Sequence, residues 1–227
     1  MKILVFIPAR SGSVGIKNKN LIKINNKPLI KYTLDVAKKI KNVKIFISSD
    51  SKKIINYCKS EGINPEYIRP KKLAQSSSGM VETVLDGVNF LEKKNFYFDT
   101  VILLQPSNPL RSIKILNLAI KQFTKSKKPA LASVVKMREH PFECIELLKK
   151  NKWNYLKNKK NNVNRRQQFS DNFYFIDGTI YITKIKFLKK NKTFIKKRFT
   201  EFFIQKNKWP VDIDYPEDII IAKNFLK

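Results

Sequence analysis

Apolar-rich runs alternate with amphipathic stretches along the chain. Lys2–Ile7, Val43–Ser49, Thr100–Leu104 and Leu131–Val135 read as strands, and Thr100–Leu104 is apolar without a break after its first residue. Between them, apolar residues return every three or four positions. Pro28–Lys41 carries Leu29, Ile30, Leu34, Ala37 and Ile40 near one face, and Met80–Lys93 carries Val81, Val84, Leu85, Val88 and Leu91. Ser51–Ser60, Ile113–Phe123 and Glu217–Phe225 read as further helices, and Thr179–Thr183 and Thr200–Ile204 as further strands. This alternation predicts an α/β sandwich on a mainly parallel sheet, with its site at the carboxyl ends of the strands. The loop after Ile7, the Ser48-Ser49-Asp50 end and the Gln105 turn all fall at that edge. Residues 138–175 break the pattern, being aromatic, basic and Asn-rich without a helical period. On residues alone they read as a surface insertion.

At 227 residues and 42% hydrophobic content, the chain suits one domain, 1–227, with its own core. A net charge of +29 invites a nucleic-acid reading. The kind of cation weakens it. Only seven of the 47 basic residues are Arg, the residue suited to bidentate contacts with phosphate and guanine, and the other 40 are Lys. These are spread out, with local runs at Lys149-Lys150, Lys157 to Lys160 and Lys189 to Lys197. The charge then reads as a solvated surface, and a basic RNA-binding protein stays as the rival class. Cys58 and Cys144 stand far apart and suggest no disulfide scaffold or metal cluster. Lys2–Ile7 is too short for a signal sequence, and no run approaches a membrane span. The expected location is cytoplasmic, with no membrane and no specific nucleic acid as partners.

The most informative stretch is Ile7-Pro8-Ala9-Arg10-Ser11-Gly12-Ser13-Val14-Gly15-Ile16-Lys17-Asn18-Lys19-Asn20. A Gly/Ser-rich loop leaving a buried strand presents backbone N–H groups, and here Arg10, Lys17 and Lys19 as well, to an anion such as a nucleotide phosphate. It is neither a P-loop nor a dinucleotide fingerprint, because both spacings are absent. At the other end, Asp212 and Asp214 flank Ile213. On an extended segment both carboxylates project to one side, an arrangement that suits Mg²⁺. The alternative is a helix-capping turn, with Glu217 and Asp218 favouring the helix start. His140 is the only histidine, and Glu139-His140-Pro141 matches no hydrolase or metal pattern.

The opening loop resembles that of the CMP-N-acetylneuraminate synthetases (acylneuraminate cytidylyltransferases). Further matches follow in order: Arg69-Pro70, Leu103 to Arg111, Arg166-Gln167-Gln168, Asp177 to Ile182 and Asp212 to Asp218. The resemblance spans nearly the whole chain. It implies a Rossmann-like nucleotidyltransferase sandwich with a small dimerisation insertion at 138–175, and a homodimer. The implied reaction is attack of the anomeric hydroxyl of a nine-carbon 2-keto-3-deoxy sugar acid on the α-phosphorus of CTP, with pyrophosphate leaving and Mg²⁺ as cofactor. N-acetylneuraminate, legionaminate or pseudaminate would be the acceptor. A CMP-Kdo synthetase is the second enzyme reading, and the Asp177 to Ile182 strand and the Arg166-Gln167-Gln168 segment argue against it.

The resemblance assigns roles residue by residue. Arg10, Lys19, Asp212 and Asp214 are catalytic, and the two aspartates hold the metal. Ala9, Arg10, Ser13, Lys19, Asn20, Arg69 and Ser78 bind CTP. Gln105, Ser107, Asn108, Arg166 and Tyr181 hold the sugar, with Arg165 a rival for its carboxylate and Arg111 divided between a structural and a substrate role. Three departures stand out. Val14 replaces a frequent Lys, Ser76 a usual Asp, and Asp177 an Asn common in sialate enzymes.

Overall fold

The computed structural model describes residues 1–13, 15–149, 152–157, 172–206 and 211–226. Strand β1 (Ile3–Pro8) is followed by a 3-10 turn (Lys19–Leu21) and a small hairpin, β2 (Lys23–Ile24) with β3 (Lys27–Pro28), which leads into helix α1 (Leu29–Lys38). Next come β4 (Val43–Ser48), α2 (Lys52–Ser60), α3 (Met80–Lys93), β5 (Thr100–Leu103), α4 (Ile113–Lys125) and β6 (Ala130–Lys136). A separate hairpin, β7 (Ile145–Leu147) with β8 (Trp153–Tyr155), precedes β9 (Tyr174–Lys184), α5 (Ile185–Asn191), β10 (Thr200–Ile204) and α6 (Pro216–Phe225).

Six strands form one sheet in the order β10-β6-β9-β5-β1-β4. β1 runs parallel to β4 and β5, and β6 parallel to β10. β9 is antiparallel to both β5 and β6, so among the described strands of this sheet it alone is reversed. The expected Rossmann-like, mainly parallel sheet is present. Strand alternation divides its core. Val5, Ile7, Ile102 and Ile182 meet Ile30 and Leu34 of α1, Cys58 of α2 and Leu116 and Phe123 of α4. Leu4, Phe6, Phe46 and Leu103 face Val84 and Val88 of α3 and Leu188 of α5 on the other side. Burying each such side chain stabilises by about 1.5–3 kcal/mol. A third cluster packs Ile24 and Leu29 against Val211, Ile213 and Ala222. It brings the segment before α6 beneath the opening loop.

Local sequence explains the helix starts. Ser51 and Ser112 cap α2 and α4 by accepting from Ile54 N and Ile115 N at 3.4 and 3.2 Å. In α3, Gly87 lets the helix approach the sheet, since a Cβ there would stand 2.7 Å from both the Phe6 and Phe46 rings.

The structure corrects three expectations. The strand expected at Thr179–Thr183 begins at Tyr174, so Tyr174 and Phe175 belong to the main sheet, paired with Lys136 and Val135, and not to an insertion. Their exposure hid them, because the first half of β9 lacks a buried apolar run. Helix α5 was not expected, since its lysines interrupt the apolar pattern over only seven residues. The pattern-breaking segment also holds a 3-10 turn (Pro141–Glu143) and the β7–β8 hairpin. Among the described residues, no helix is long and apolar enough to cross a membrane.

Candidate active site

The opening loop is held rigidly at the carboxyl edge of β1. Ala9 N donates to Ser48 O at 2.8 Å, which extends the β1–β4 pairing by one step. Asp50 accepts from Ser11 N at 2.8 Å and from Ser11 Oγ at 2.5 Å. Burial alone would raise the Asp50 carboxyl, but the Ser11 bonds, helped by the nearby Arg69 charge, outweigh it and hold the pKa below its ordinary value. Asn20 is buried and donates Nδ2 to Arg10 O at 2.9 Å. With its backbone tied at these points, the loop aims Arg10, Ser13 and Lys19 into a cleft of about 350 Å³.

Arg69 enters the same cleft from the segment before α3. It is buried, donates Nε to Ser48 Oγ at 2.9 Å and Nη2 to Ser48 O at 2.6 Å, and has its pKa lowered by that burial. Gln105, Pro106 and Ser107 form the wall after β5, and Asp214 and Tyr215 the wall before α6. The cleft thus gathers three cations and a carboxylate from segments far apart in sequence.

The Asp212–Asp214 segment alternates as its sequence requires. Ile213 is fully buried while both aspartates reach solvent. Ile213 N donates to Ser107 O at 2.8 Å, joining this segment to the Gln105 turn. Lys19 Nζ donates to Ile213 O at 2.6 Å and to Asp214 Oδ1 at 2.8 Å. Asp218 Oδ2 accepts from the N–H groups of Asp214 and Tyr215 at 2.9 and 2.8 Å, so Asp218 starts the helix. Gly15 is where the loop touches this segment. A Cβ there would lie 2.2 Å from Asp214 O, an approach open only to glycine.

Asp212 is exposed beside the cleft, with Ser107, Asn108 and Asp214 near its carboxylate. Burial pushes its carboxyl upward, Ser107 pulls back, Asp214 pushes further, and Lys19 and Asn108 pull weakly, with a net rise. Two oxygen-bearing acids that feel each other at the mouth of a cationic cleft fit Mg²⁺. That ion commonly takes one or two carboxylates and completes its shell with water and substrate phosphate oxygens. Among the described residues no group of three or more His, Cys, Asp or Glu gathers to hold a metal by itself.

Arg111 is structural. Its guanidinium is buried and donates to Thr179 O at 2.7 Å, Gln105 O at 3.0 Å and Thr33 Oγ1 at 3.3 Å. Desolvation lowers its pKa to about 10, against the pull of Asp177 and Asp212. It ties the Gln105 turn to β9.

The sequence-predicted residues separate by place. Arg10, Ser13, Lys19, Asn20, Arg69, Gln105, Ser107 and Asp214 line one cleft. Asp212 and Asn108 lie beside it, close to Gly178. Ala9 is fully buried, and what it offers is its backbone. Ser78 stands outside the cleft lining and uses its hydroxyl within its own turn, donating to Lys72 O at 2.9 Å. Tyr181 is half-buried on β9 with its ring 5.4 Å from Phe194. Val14, Arg165 and Arg166 lie outside the described residues. His140 packs against Phe142 and Phe173. Sequence reasoning missed Met80 and Tyr215 as lining residues. Met80 reads only as a helix start, and Tyr215 as spacing between Asp214 and Pro216.

Comparison with known proteins bears on the family and the fold. Residues 4–219 match the family described as cytidylyltransferase. The CMP-N,N'-diacetyllegionaminic acid synthase of Legionella pneumophila is 27% identical, with 100% of this chain and 97% of that protein covered. The post-translational flagellin modification protein B of Campylobacter coli is 31% identical over 100% of this chain and 95% of its own length. Among solved structures, a CMP:2-keto-3-deoxy-manno-octonic acid synthetase complexed with CTP superposes with a TM-score of 0.71 at 15% identity. That superposition covers 99% of this chain and 98% of the other.

Proposed function

This chain belongs to the cytidylyltransferase family and is a nucleotidyltransferase, and within that family we propose that it moves CMP from CTP to the anomeric hydroxyl of a nine-carbon 2-keto-3-deoxy sugar acid in the cytoplasm, releasing pyrophosphate. One observation carries the reading. Arg10, Lys19 and Arg69 converge on one cleft whose far walls are the Gln105 turn and the Asp212–Asp214 segment. Relatives that share the chain's full span are named for legionaminic and pseudaminic acids.

Nucleotidyl transfer asks a protein mainly to position the reactants and neutralise charge. Arg10, Lys19 and Arg69 supply fixed positive charge for the triphosphate. Gln105 and Ser107 donate uncharged hydrogen bonds that orient the acceptor. Its anomeric hydroxyl then faces the α-phosphorus, a new P–O bond forms there as the hydroxyl proton passes to solvent water, and the bond to the β-phosphate oxygen breaks. Asp212 and Asp214 would hold Mg²⁺, which when bound adds neutralising charge at the phosphate oxygens.

The protein acts as a homodimer in this proposal, joined through residues 138–175, that is, the pattern-breaking segment together with the start of β9 that adjoins it. Supporting it, Leu147 is 77% exposed on β7, and Leu156 after β8 and Phe175 on β9 are exposed too. Sedimentation velocity checks the dimer, and a monomer at micromolar concentration overturns it.

The activity is read by pyrophosphate release from CTP and Mg²⁺ with N-acetylneuraminate, legionaminate, pseudaminate and Kdo in turn. Release with a nine-carbon acid is the expected result. Release with Kdo alone transfers the chain to the eight-carbon enzymes, and no release with any acid overturns the proposal.

A further inference from the structure

Strands β6 and β9 pair in two registers. Ala132 faces Tyr181, but Val134 faces Ile176. Between those pairs β6 spends one residue, Ser133, while β9 spends four, Asp177 to Ile180. The surplus makes a bulge, a device that re-aims side chains beside active sites. Asp177, only 3% exposed, closes it. One carboxylate oxygen accepts from Ser133 Oγ at 2.5 Å and Thr179 N at 2.9 Å, and the other accepts from Gln205 Nε2. Ser133 Oγ in turn accepts from Ile180 N at 2.9 Å. The N–H groups of Thr179 and Ile180, displaced from the ladder, are thereby answered by one buried carboxylate and one hydroxyl.

The bulge points at the cleft. Gly178 sits at its tip with a φ of 68°, a conformation that costs glycine little. A Cβ at Gly178 would lie 3.5 Å from Gln105 Nε2 and 3.8 Å from both Asn108 Nδ2 and Asp212 Oδ2. The next residue orients Asn108. Thr179 Oγ1 donates to Asn108 Oδ1 at 3.2 Å, which commits that oxygen and turns Nδ2 the other way. Asn108 Nδ2 is buried and makes no well-formed hydrogen bond among the described residues, although its amide favours the charged form of the neighbouring Asp212 carboxylate. A buried donor left open calls for an explanation, and an acceptor atom arriving with substrate supplies one.

Resting on the cytidylyltransferase reading above, we propose that Asp177 is a positioning residue for the acceptor side of the cleft. Its carboxylate, held by Gln205 from the end of β10, sets the bulge. The bulge presents Asn108 Nδ2 and Gln105 Nε2 together to an oxygen-bearing group of the sugar acid beside Asp212. The nucleotide side is built on β1, β4 and their loops and does not depend on it. An Asn at 177 keeps an oxygen for Ser133 and Thr179, and the Gln205 amide can turn over to meet its nitrogen. Ala at 177 removes the acceptor of Ser133 Oγ and Thr179 N, and Leu at 205 removes the donor that holds the other carboxylate oxygen.

The experiment compares Asp177→Ala, Gln205→Leu and Asp177→Asn with the unaltered enzyme, using whichever acid of the panel supports turnover. Circular dichroism and melting temperature report folding. Asp177→Ala and Gln205→Leu lower kcat/KM for the acid by about 10- to 100-fold, the scale on which a slight misplacement in an active site acts. KM for CTP stays within about twofold of the unaltered enzyme's, since uniform losses would mark general damage. Asp177→Asn recovers most of the activity. Unchanged kinetics for the acid, or equal losses toward acid and CTP, overturn the positioning role. If Asp177→Ala fails to fold, Gln205→Leu alone decides. If the unaltered protein turns over no acid, the proposed function falls by itself. The positioning role then stands or falls on the Asn108 side-chain amide resonance, which Gln205→Leu shifts and Asp177→Asn preserves.

Discussion

Lys19 donates to the Ile213 carbonyl and to Asp214 at once. The cation assigned to the triphosphate therefore also fixes the distance between the opening loop and the acidic segment. Lys19→Ala removes both services. We expect turnover to fall by about 100-fold or more, as when one preorganised charge-stabilising donor is lost, with the circular dichroism spectrum unchanged, and full turnover would sink the assignment. Asp50 gives a second prediction, in acid. Its folded pKa lies below the ordinary value. Its stabilising contribution is therefore fully present above the unfolded pKa of about 3.9 and is lost as pH falls through the folded value. Asp50→Asn should flatten the acid limb of stability against pH, measured by urea unfolding across that range. An acid limb identical to that of the unaltered protein would show that Ser11 does not hold Asp50. Arg10 and Lys19 were legible because glycine, serine and cations cluster behind a buried strand. The partners of Asp50 and Arg111 were not, and a structural role for Arg111 stood level with a substrate role, because nothing in local sequence announces which carbonyl or hydroxyl a distant fold will bring to a charged group.

Two glycines show how elements meet, and they separate stability from function. Gly87→Ala drives a methyl against Phe6 and Phe46, whose packed rings have little room to yield. It should cost about 1–3 kcal/mol through overpacking, read as a lower urea midpoint, while KM for both substrates stays put. Gly15→Ala forces the loop away from the Asp214 carbonyl on the surface of the molecule. It should lower kcat with a much smaller loss of stability. The reverse pattern would mean that the loop, not the α3 contact, governs folding. The strand and helix sequence was largely readable because buried strands such as Thr100–Leu103 are apolar after the first residue and α1 and α3 carry full apolar stripes. The reversal of β9 and its bulge was not readable. Strand direction leaves no periodic mark, and Asp177-Gly178-Thr179 looks like the start of a strand until its pairing is known.

The molecule as a whole carries a charge of +29 that its cleft uses only in small part. Among the described residues, the remaining lysines are spread over the surface as a diffuse field. Any RNA that associates should therefore be held by phosphate contacts alone. Its affinity should drop steeply between about 50 and 200 mM salt, and Asp212→Ala should leave that affinity unchanged, as filter binding would reveal. Salt-resistant binding would restore the rival reading of a dedicated RNA-binding protein. The Lys19–Asp214 pair has a further consequence. Its partners stand 195 residues apart, and no shorter stretch of chain contains both. On the ribosome, the opening loop is made 195 residues before its counterpart exists. A nascent chain cannot assemble the walls of this cleft early. A product cut short before Asp214 keeps all six strands of the sheet but lacks one side of the site, so nucleotide chemistry switches on only after Asp214 has been added.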